Sequence, residues 1–77
     1  MSERLPTLKG KDIIKALKRA GFIERHASGS HVILRHPITK KIATVPVHGG
    51  KDVKRGTLFS IIRQAGLSVE SFKALLS

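Results

Sequence analysis

The 77-residue chain contains no cysteine, tryptophan or tyrosine, and acidic residues are scarce. Without cysteine there is no disulfide framework and no thiolate metal site, which excludes zinc fingers. No apolar run exceeds three residues, far short of the roughly 20 that cross a bilayer. The opening MSERLPTLKGKD has no apolar signal-peptide stretch. We therefore expect a soluble, cytoplasmic chain that is not inserted in a membrane.

Aromatic side chains are limited to Phe22, Phe59 and Phe72, which are spaced like packing residues. Modules that bind single-stranded nucleic acid usually stack the bases on exposed aromatic rings. This chain has no such platform, so any nucleic-acid recognition should depend on backbone and shape. Weak sequence selectivity is the expected consequence.

Basic residues dominate the charge, with 15 Lys and Arg against 5 Asp and Glu and a net charge of +10. Such a surface attracts polyanions, most commonly nucleic acid, with a membrane surface or an acidic protein as alternatives. The same charge could also serve solubility alone. An apolar content of 40% with regular periodicity indicates a folded chain.

Glycine and proline divide the chain into a series of short elements. Apolar periodicity predicts a helix over 12–20, strands over 22–27, 30–36 and 42–47, a helix over 55–65 and a last helix over 68–76. Gly21 and Gly66 end the two longer helices. The prediction is a single α+β domain over residues 1–77, with the order α-β-β-β-α plus a short C-terminal helix. Residues 1–9 form a polar lead and residues 68–77 a helical extension.

Four histidines fall on the predicted strands or on the loop that follows them. If Ser28 and Gly29 form a two-residue turn, His26 lies directly opposite His31 on the solvent face of the sheet. That face then carries Glu24, His26, His31, Ile33 and Arg35, while the core face carries Ile23, Val32 and Leu34. A register slip of one residue would reverse this assignment.

Metal binding is not expected from the histidine spacing. His31 and His36 are five residues apart, so on a regular strand they point to opposite faces. Only His26 and His31 could share a metal, and no further ligand is firmly placed beside them. We therefore expect neither a metal nor another cofactor, and an exposed strand residue without a role is the simpler interpretation of His26 and His36.

RNA cleavage by internal attack of the 2′-hydroxyl needs a base, an acid and cations around the phosphorus. Histidine can supply either proton transfer at neutral pH, and Arg and Lys supply the cations. Lys51, Lys54 and Arg55 lie at the start of the second long helix, where backbone N–H groups also favour phosphate. His31 is the main catalytic candidate and His26 a second one, with Arg35 as a further phosphate ligand.

Four segments in order and spacing resemble the HicA toxin family of mRNA interferases. They are Ile13–Phe22, Gly29–His31, Thr44–Asp52 and Gly56–Gly66. The resemblance implies a fold like the double-stranded RNA-binding domain, ribosome-independent mRNA cleavage, and a HicB-family antitoxin that masks the catalytic face. It also implies a catalytic histidine directly after a Gly-Ser pair, which is His31 in this chain. Many members have a second histidine at the following position, where this chain has Val32. RNA contacts are expected from Gly29, Ser30, Arg35, His48, Lys51, Lys54 and Arg55.

Three functions remain open from the sequence. The first is a metal-independent endoribonuclease of a toxin–antitoxin pair, and the second is a double-stranded RNA-binding module without catalysis. The third is a basic domain that binds a membrane surface or a protein. Loss of His31 separates the first two, since only turnover needs it, and a steep salt dependence of RNA affinity separates both from the third.

Overall fold

A three-stranded antiparallel sheet and three helices make up residues 5–76, the part of the chain that the computed structural model describes. The elements are α1 (Gly10–Arg19), β1 (Ile23–Ser28), β2 (His31–Arg35), β3 (Ile42–Pro46), α2 (Arg55–Gln64) and α3 (Val69–Ala74). The sheet order β1-β2-β3 is that of a meander. The predicted α+β class and element order are confirmed. Residues 1–4 of the predicted lead and residue 77 of the predicted extension lie outside the described part.

The two longer helices end as the sequence predicts. Gly21 has φ 103° and Gly66 has φ 74°, the left-handed backbone that glycine adopts without a Cβ penalty. After α1, the N–H groups of Gly21 and Phe22 donate to the carbonyls of Lys18 and Leu17 in a Schellman motif. Phe22 is thereby turned into the core, and the chain enters β1 at a defined angle.

The core lies between one face of the sheet and the helices. Leu34, Ala43 and Val45 face inward from β2 and β3 and are fully buried. They meet the buried faces of the helices, which are formed by Ile13, Ala16, Leu17, Leu58, Ile61, Ile62 and Phe72. Leu5 and Leu8 join this cluster, so the predicted polar lead contributes apolar side chains to the core. Within residues 5–76 no helix is both long and apolar enough to cross a membrane.

The predicted register of the β1–β2 hairpin is wrong. The turn consists of Gly29 and Ser30, because Ser28 is the strand partner of His31. Gly29 has φ 57°, which suits the first central position of a type II′ turn. His26 therefore lies opposite Ile33, and the direct His26–His31 pair does not exist.

The pairing of β1 with β2 is irregular between Glu24 and His26, and as a result the predicted sheet faces of Ile23 and Glu24 are also wrong. Beyond this irregularity the pairing shifts by one residue, so Ile23 opposes Arg35 on the open face and is 51% exposed. Glu24 opposes Leu34 on the helix side, where its carboxylate lies 3.4 Å from Lys18 Nζ of α1. An inserted residue reverses the faces of everything before it, which sequence periodicity over so short a strand does not reveal.

Candidate active site

His31 is the first residue of β2 and comes directly after the hairpin turn. Its strand partners are Ser28 on β1 and Pro46 on β3, so it stands at the end of the sheet where the chain leaves β3. The side chain is exposed to solvent. His31, Ile33 and Arg35 share the face opposite the helices, because alternate residues of a strand point the same way.

His48 lies beside His31 although it is seventeen residues further along the chain. The backbone N–H of Val47 donates to the carbonyl of Ser30, which extends the β2–β3 pairing beyond Pro46. His48 follows directly and is held at the same end of the sheet. The two imidazole rings are edge-to-face, with centroids 6.0 Å apart and an interplanar angle of 82°.

The start of α1 packs against the backbone that leads to His48. A Cβ built on Gly10 would collide with the carbonyl oxygen of Pro46 and would lie 2.9 Å from Cγ2 of Val47. Gly10 itself is buried. Only glycine therefore allows α1 to approach the end of β3 this closely, and this contact supports the segment that carries His48.

A cavity of about 320 Å³ opens between the end of the sheet and the start of α2. Its walls are formed by His31, Pro46, His48, Lys51, Asp52, Val53, Lys54 and Thr57. Two imidazoles, two ammonium groups, one carboxylate and one hydroxyl therefore border a single space. Of the nine site residues predicted from the sequence, it brings together His31, His48, Lys51 and Lys54.

Two backbone hydrogen bonds and an ion pair hold the loop from β3 to α2, which forms one wall of the cavity. Lys51 N–H donates to the carbonyl of His48 at 3.0 Å, and Val53 N–H donates to the carbonyl of Leu8 at 2.7 Å. Lys9 Nζ lies 3.4 Å from Asp52 Oδ1 in a solvent-exposed ion pair. The carboxylate of Asp52 thus has a cation beside it, which leaves the cavity with a net positive lining.

The amino end of α2 adds to this positive character. Residues 55–57 form the start of the helix, and Leu58 N–H is bonded to the carbonyl of Lys54. The first N–H groups of a helix have no partner within it, and Lys54 at the N-cap has no side-chain oxygen to offer them. The first turn contains no acidic residue. An anion in the cavity would meet lysine side chains together with the positive end of the helix dipole.

Several predicted site residues lie outside the cavity. Arg55 turns towards the N-terminal segment, where its Nη2 donates to the carbonyl of Leu5 at 3.4 Å. Arg35 is at the opposite end of β2, about 13 Å from His31 at the usual strand rise, in a separate hollow with Ile23, Arg25, Pro37 and Lys40. His26 is on the open face of the sheet opposite Ile33. Gly29 and Ser30 form the turn that precedes His31.

His36 has a structural role. Its Nδ1 accepts hydrogen bonds from the backbone N–H groups of Ile38 and Thr39, and its Nε2 lies 3.2 Å from the carbonyl of Ala20. The ring also packs edge-on against Phe22, with centroids 5.2 Å apart. The imidazole ties the end of α1 to the turn after β2.

Thr57 and Asp52 line the cavity, although the sequence does not predict either of them as a site residue. Thr57 follows Lys54 by three residues, and residues three apart lie on the same side of a helix. That spacing could have identified Thr57, whereas Asp52 carries no such signal because its position depends on the folded loop. Among residues 5–76, no three His, Asp or Glu side chains are grouped so that they could hold a metal ion.

The sequence of this chain matches a known protein family. A family model described as HicA toxin of bacterial toxin-antitoxin matches residues 10–67. The matched region runs from the start of α1 to just past α2 and includes every residue that lines the cavity. No curated protein matches the chain significantly.

Proposed function

This chain belongs to the HicA toxin family of bacterial toxin–antitoxin systems, and we propose that it is a metal-independent endoribonuclease that cleaves mRNA and thereby inhibits translation. Members of this family generally cleave mRNA. The observation that carries the proposal is His31, exposed on the wall of a cavity that Lys51 and Lys54 also line. Its substrate would place the protein in the cytoplasm.

The cavity supplies what transesterification of RNA requires. Attack of the 2′-hydroxyl on the adjacent phosphorus needs proton transfer, and imidazole performs it near neutral pH. Negative charge accumulates on the phosphate oxygens in the transition state, where lysine ammonium groups and free helix N–H groups stabilise it. We assign His31 to proton transfer and Lys51 and Lys54 to the phosphate. DNA lacks the attacking hydroxyl and would bind without reacting.

The remaining predicted contacts would extend the RNA-binding surface beyond the reacting phosphate. Gly29 and Ser30 form the turn directly before His31. The backbone of this turn is accessible, since no atom of another segment lies within 4 Å of a Cβ built on Gly29. Arg35 and Arg55 lie on other surfaces and would contact phosphates further along the strand. Because these contacts are to backbone phosphates, sequence selectivity should be weak.

The decisive experiment incubates purified protein with an mRNA transcript in the presence of EDTA. We expect the wild-type protein to cleave and His31→Ala to lose about 10²–10⁴-fold of the rate, as is typical when a proton-transfer group is removed. The RNA affinity of His31→Ala should remain close to that of the wild type. Lys73→Ala, which removes a charge outside the cavity, serves as the control and should cleave normally.

The alternatives give different results in the same experiment. RNA that stays intact while both proteins bind it would favour a double-stranded RNA-binding module. Cleavage that disappears only when EDTA is added would contradict the metal-independent mechanism but keep the nuclease. If His31→Ala cleaves at the wild-type rate, the assignment of His31 is wrong.

Membership in a toxin–antitoxin family implies an antitoxin partner, and we propose a HicB-family protein that covers the catalytic face. The open face of the sheet carries Ile23 and Ile42, each 51% exposed, on either side of Arg35, and Ile33 lies on the same face two residues along β2. The cations Arg25 and Arg35 lie on the same face. An acidic partner with apolar contact residues would complement this surface.

An Ile42→Asp variant tests the docking surface. A buried carboxylate without a partner is costly, so antitoxin affinity should fall by at least 10-fold. RNA cleavage by the free variant should be unchanged, because Ile42 is remote from the cavity. Unchanged affinity for the antitoxin would show that it binds elsewhere.

A further inference from the structure

His48 is brought next to His31 by the tertiary structure and has no structural function comparable to that of His36. Both ring nitrogens of His36 lie within hydrogen-bond distance of backbone groups. The exposed ring of His48 instead contacts the ring of His31 and borders the same cavity. Of the four histidines, these two line that cavity.

We propose that His48 is a second catalytic residue and forms an acid–base pair with His31. This inference rests on the proposed ribonuclease function and deepens it. The sequence alone predicts only RNA contacts for His48 and favours His26 as the second proton-transfer group. The observed register places His26 opposite Ile33, whereas the ring of His48 is 6.0 Å from that of His31.

Internal transesterification requires two proton transfers at two different oxygens. The attacking 2′-oxygen and the leaving 5′-oxygen lie on opposite sides of the phosphorus, so one imidazole cannot serve both at once. Each nitrogen has to come within about 2.6–3.2 Å of its oxygen. A centroid separation of 6.0 Å is short enough for both rings to reach oxygens of one phosphate group.

The charges around the pair would hold that phosphate in the cavity, against both rings. Lys51 and Lys54 line the cavity on the side of the loop and α2. Asp52 lies in the same lining and is ion-paired with Lys9, which precedes α1. The titratable groups of the cavity lining are these lysines, Asp52 and the two histidines. Because the lysines balance the negative charge of the phosphate, a protonated imidazole is not needed for that purpose.

The step is balanced without any further reactant. One imidazole, in its neutral form, accepts the proton of the 2′-hydroxyl as the bond from the 2′-oxygen to phosphorus forms. The bond from phosphorus to the 5′-oxygen breaks, and the other imidazole, in its protonated form, gives its proton to that oxygen. The products are a 2′,3′-cyclic phosphate and a 5′-hydroxyl end, and the two rings have exchanged protonation states.

The test compares wild-type protein with His48→Gln, His31→Gln and the double variant under single-turnover conditions. Glutamine keeps a polar side chain but cannot transfer protons near neutral pH. We expect His48→Gln to cleave about 10²–10⁴-fold more slowly, with affinity for a non-cleavable 2′-O-methyl RNA within a few-fold of wild type. The double variant should be scarcely slower than the slower single variant, because residues that act as a unit are non-additive.

The pH dependence provides a readout that a purely structural role would not change. A reaction that needs one neutral and one protonated imidazole has a bell-shaped profile. In His48→Gln the cleavage rate should change with pH on only one side of the profile, either the acid side or the alkaline side. The wild-type products should carry 5′-hydroxyl ends that a polynucleotide kinase labels without prior phosphatase treatment.

The outcomes separate this inference from the function on which it rests. A wild-type protein that cleaves no RNA overturns the proposed function itself. If the wild type cleaves and His48→Gln cleaves equally fast with an intact bell, only the role of His48 is overturned. A loss of rate in His48→Gln that is matched by an equal loss of affinity also overturns it, as does a His26→Gln variant that loses a limb of the bell in its place.

Discussion

Replacing Gly10 with alanine tests the contact between α1 and the segment that carries His48. Alanine is intrinsically better than glycine in a helix by about 0.5–1 kcal/mol, so substitution at an unobstructed helix position should stabilise the protein. At Gly10 the new Cβ would collide with the Pro46 carbonyl oxygen and lie 2.9 Å from Val47 Cγ2. Overpacking of this kind costs about 1–3 kcal/mol, which leaves a net destabilisation of about 1 kcal/mol at the middle of both ranges.

Urea unfolding followed by far-ultraviolet circular dichroism measures this change directly. In a domain of this size 1 kcal/mol corresponds to about 4–8 °C in Tm, so a thermal scan should show the same direction. Gly56→Ala is the matched control: Gly56 is the second residue of α2 and no atom lies within 4 Å of its added Cβ. We expect Gly56→Ala to be at least as stable as the wild type.

The Gly10→Ala variant should also be a poorer enzyme than its stability loss explains. The displaced backbone runs directly into His48, and a shift of about 1 Å in a reacting group can cost about 10²-fold in rate. Cleavage is measured under conditions of temperature and solvent in which the variant is fully folded. If the urea midpoint of Gly10→Ala equals or exceeds that of the wild type, α1 does not approach the end of β3 as closely as the Gly10 contacts require.

Three further predictions address the register, a helix cap and the cavity charge. Leu34→Ala should lower the free energy of unfolding by about 2–5 kcal/mol and Ile23→Ala by no more than about 0.5 kcal/mol, as measured by urea unfolding; equal losses would restore the register predicted from sequence. Ser68→Ala removes the side-chain oxygen that accepts from Ser71 N–H at 3.0 Å and should cost about 0.5–2 kcal/mol, and an unchanged midpoint would contradict the cap. Lys51→Ala should weaken RNA binding and lower the slope of log affinity against log salt by about 1, whereas Lys73→Ala should affect neither; equal effects would indicate diffuse attraction rather than a phosphate site.

Much of the architecture follows from local features of the sequence. The apolar stripes of α1 and α2 and the glycines that end them predict both helices within a few residues, because a helix needs only neighbours three and four positions away. Pro46 has no N–H to donate to a neighbouring strand, so it predicts either an edge strand or a strand end. In the structure it is the last residue of the edge strand β3, one residue before the predicted end. Ser68 predicts the start of α3, and its hydroxyl caps that helix.

The candidate site was predictable only in part. His31, Lys51 and Lys54 could be named because each adjoins a turn or helix start, where function concentrates. The hairpin register was misassigned because Ser28-Gly29 and Gly29-Ser30 are both reasonable two-residue turns, and no local signal marks the irregularity after Glu24. That misassignment paired His31 with His26, which lies five residues before it in the chain.

The amino-acid sequence by itself determined the element order and the ends of the helices, since these depend on interactions within short segments. It also determined the basic charge, which is a matter of composition, and the place of His31 close to the hairpin turn. The tertiary structure alone decided that His48 would be the neighbour of His31. That pairing arises because the β2–β3 ladder continues to Val47 and because Gly10 lets α1 pack behind it. Both are contacts between segments distant in sequence, and their geometry exists only once the core between sheet and helices has formed.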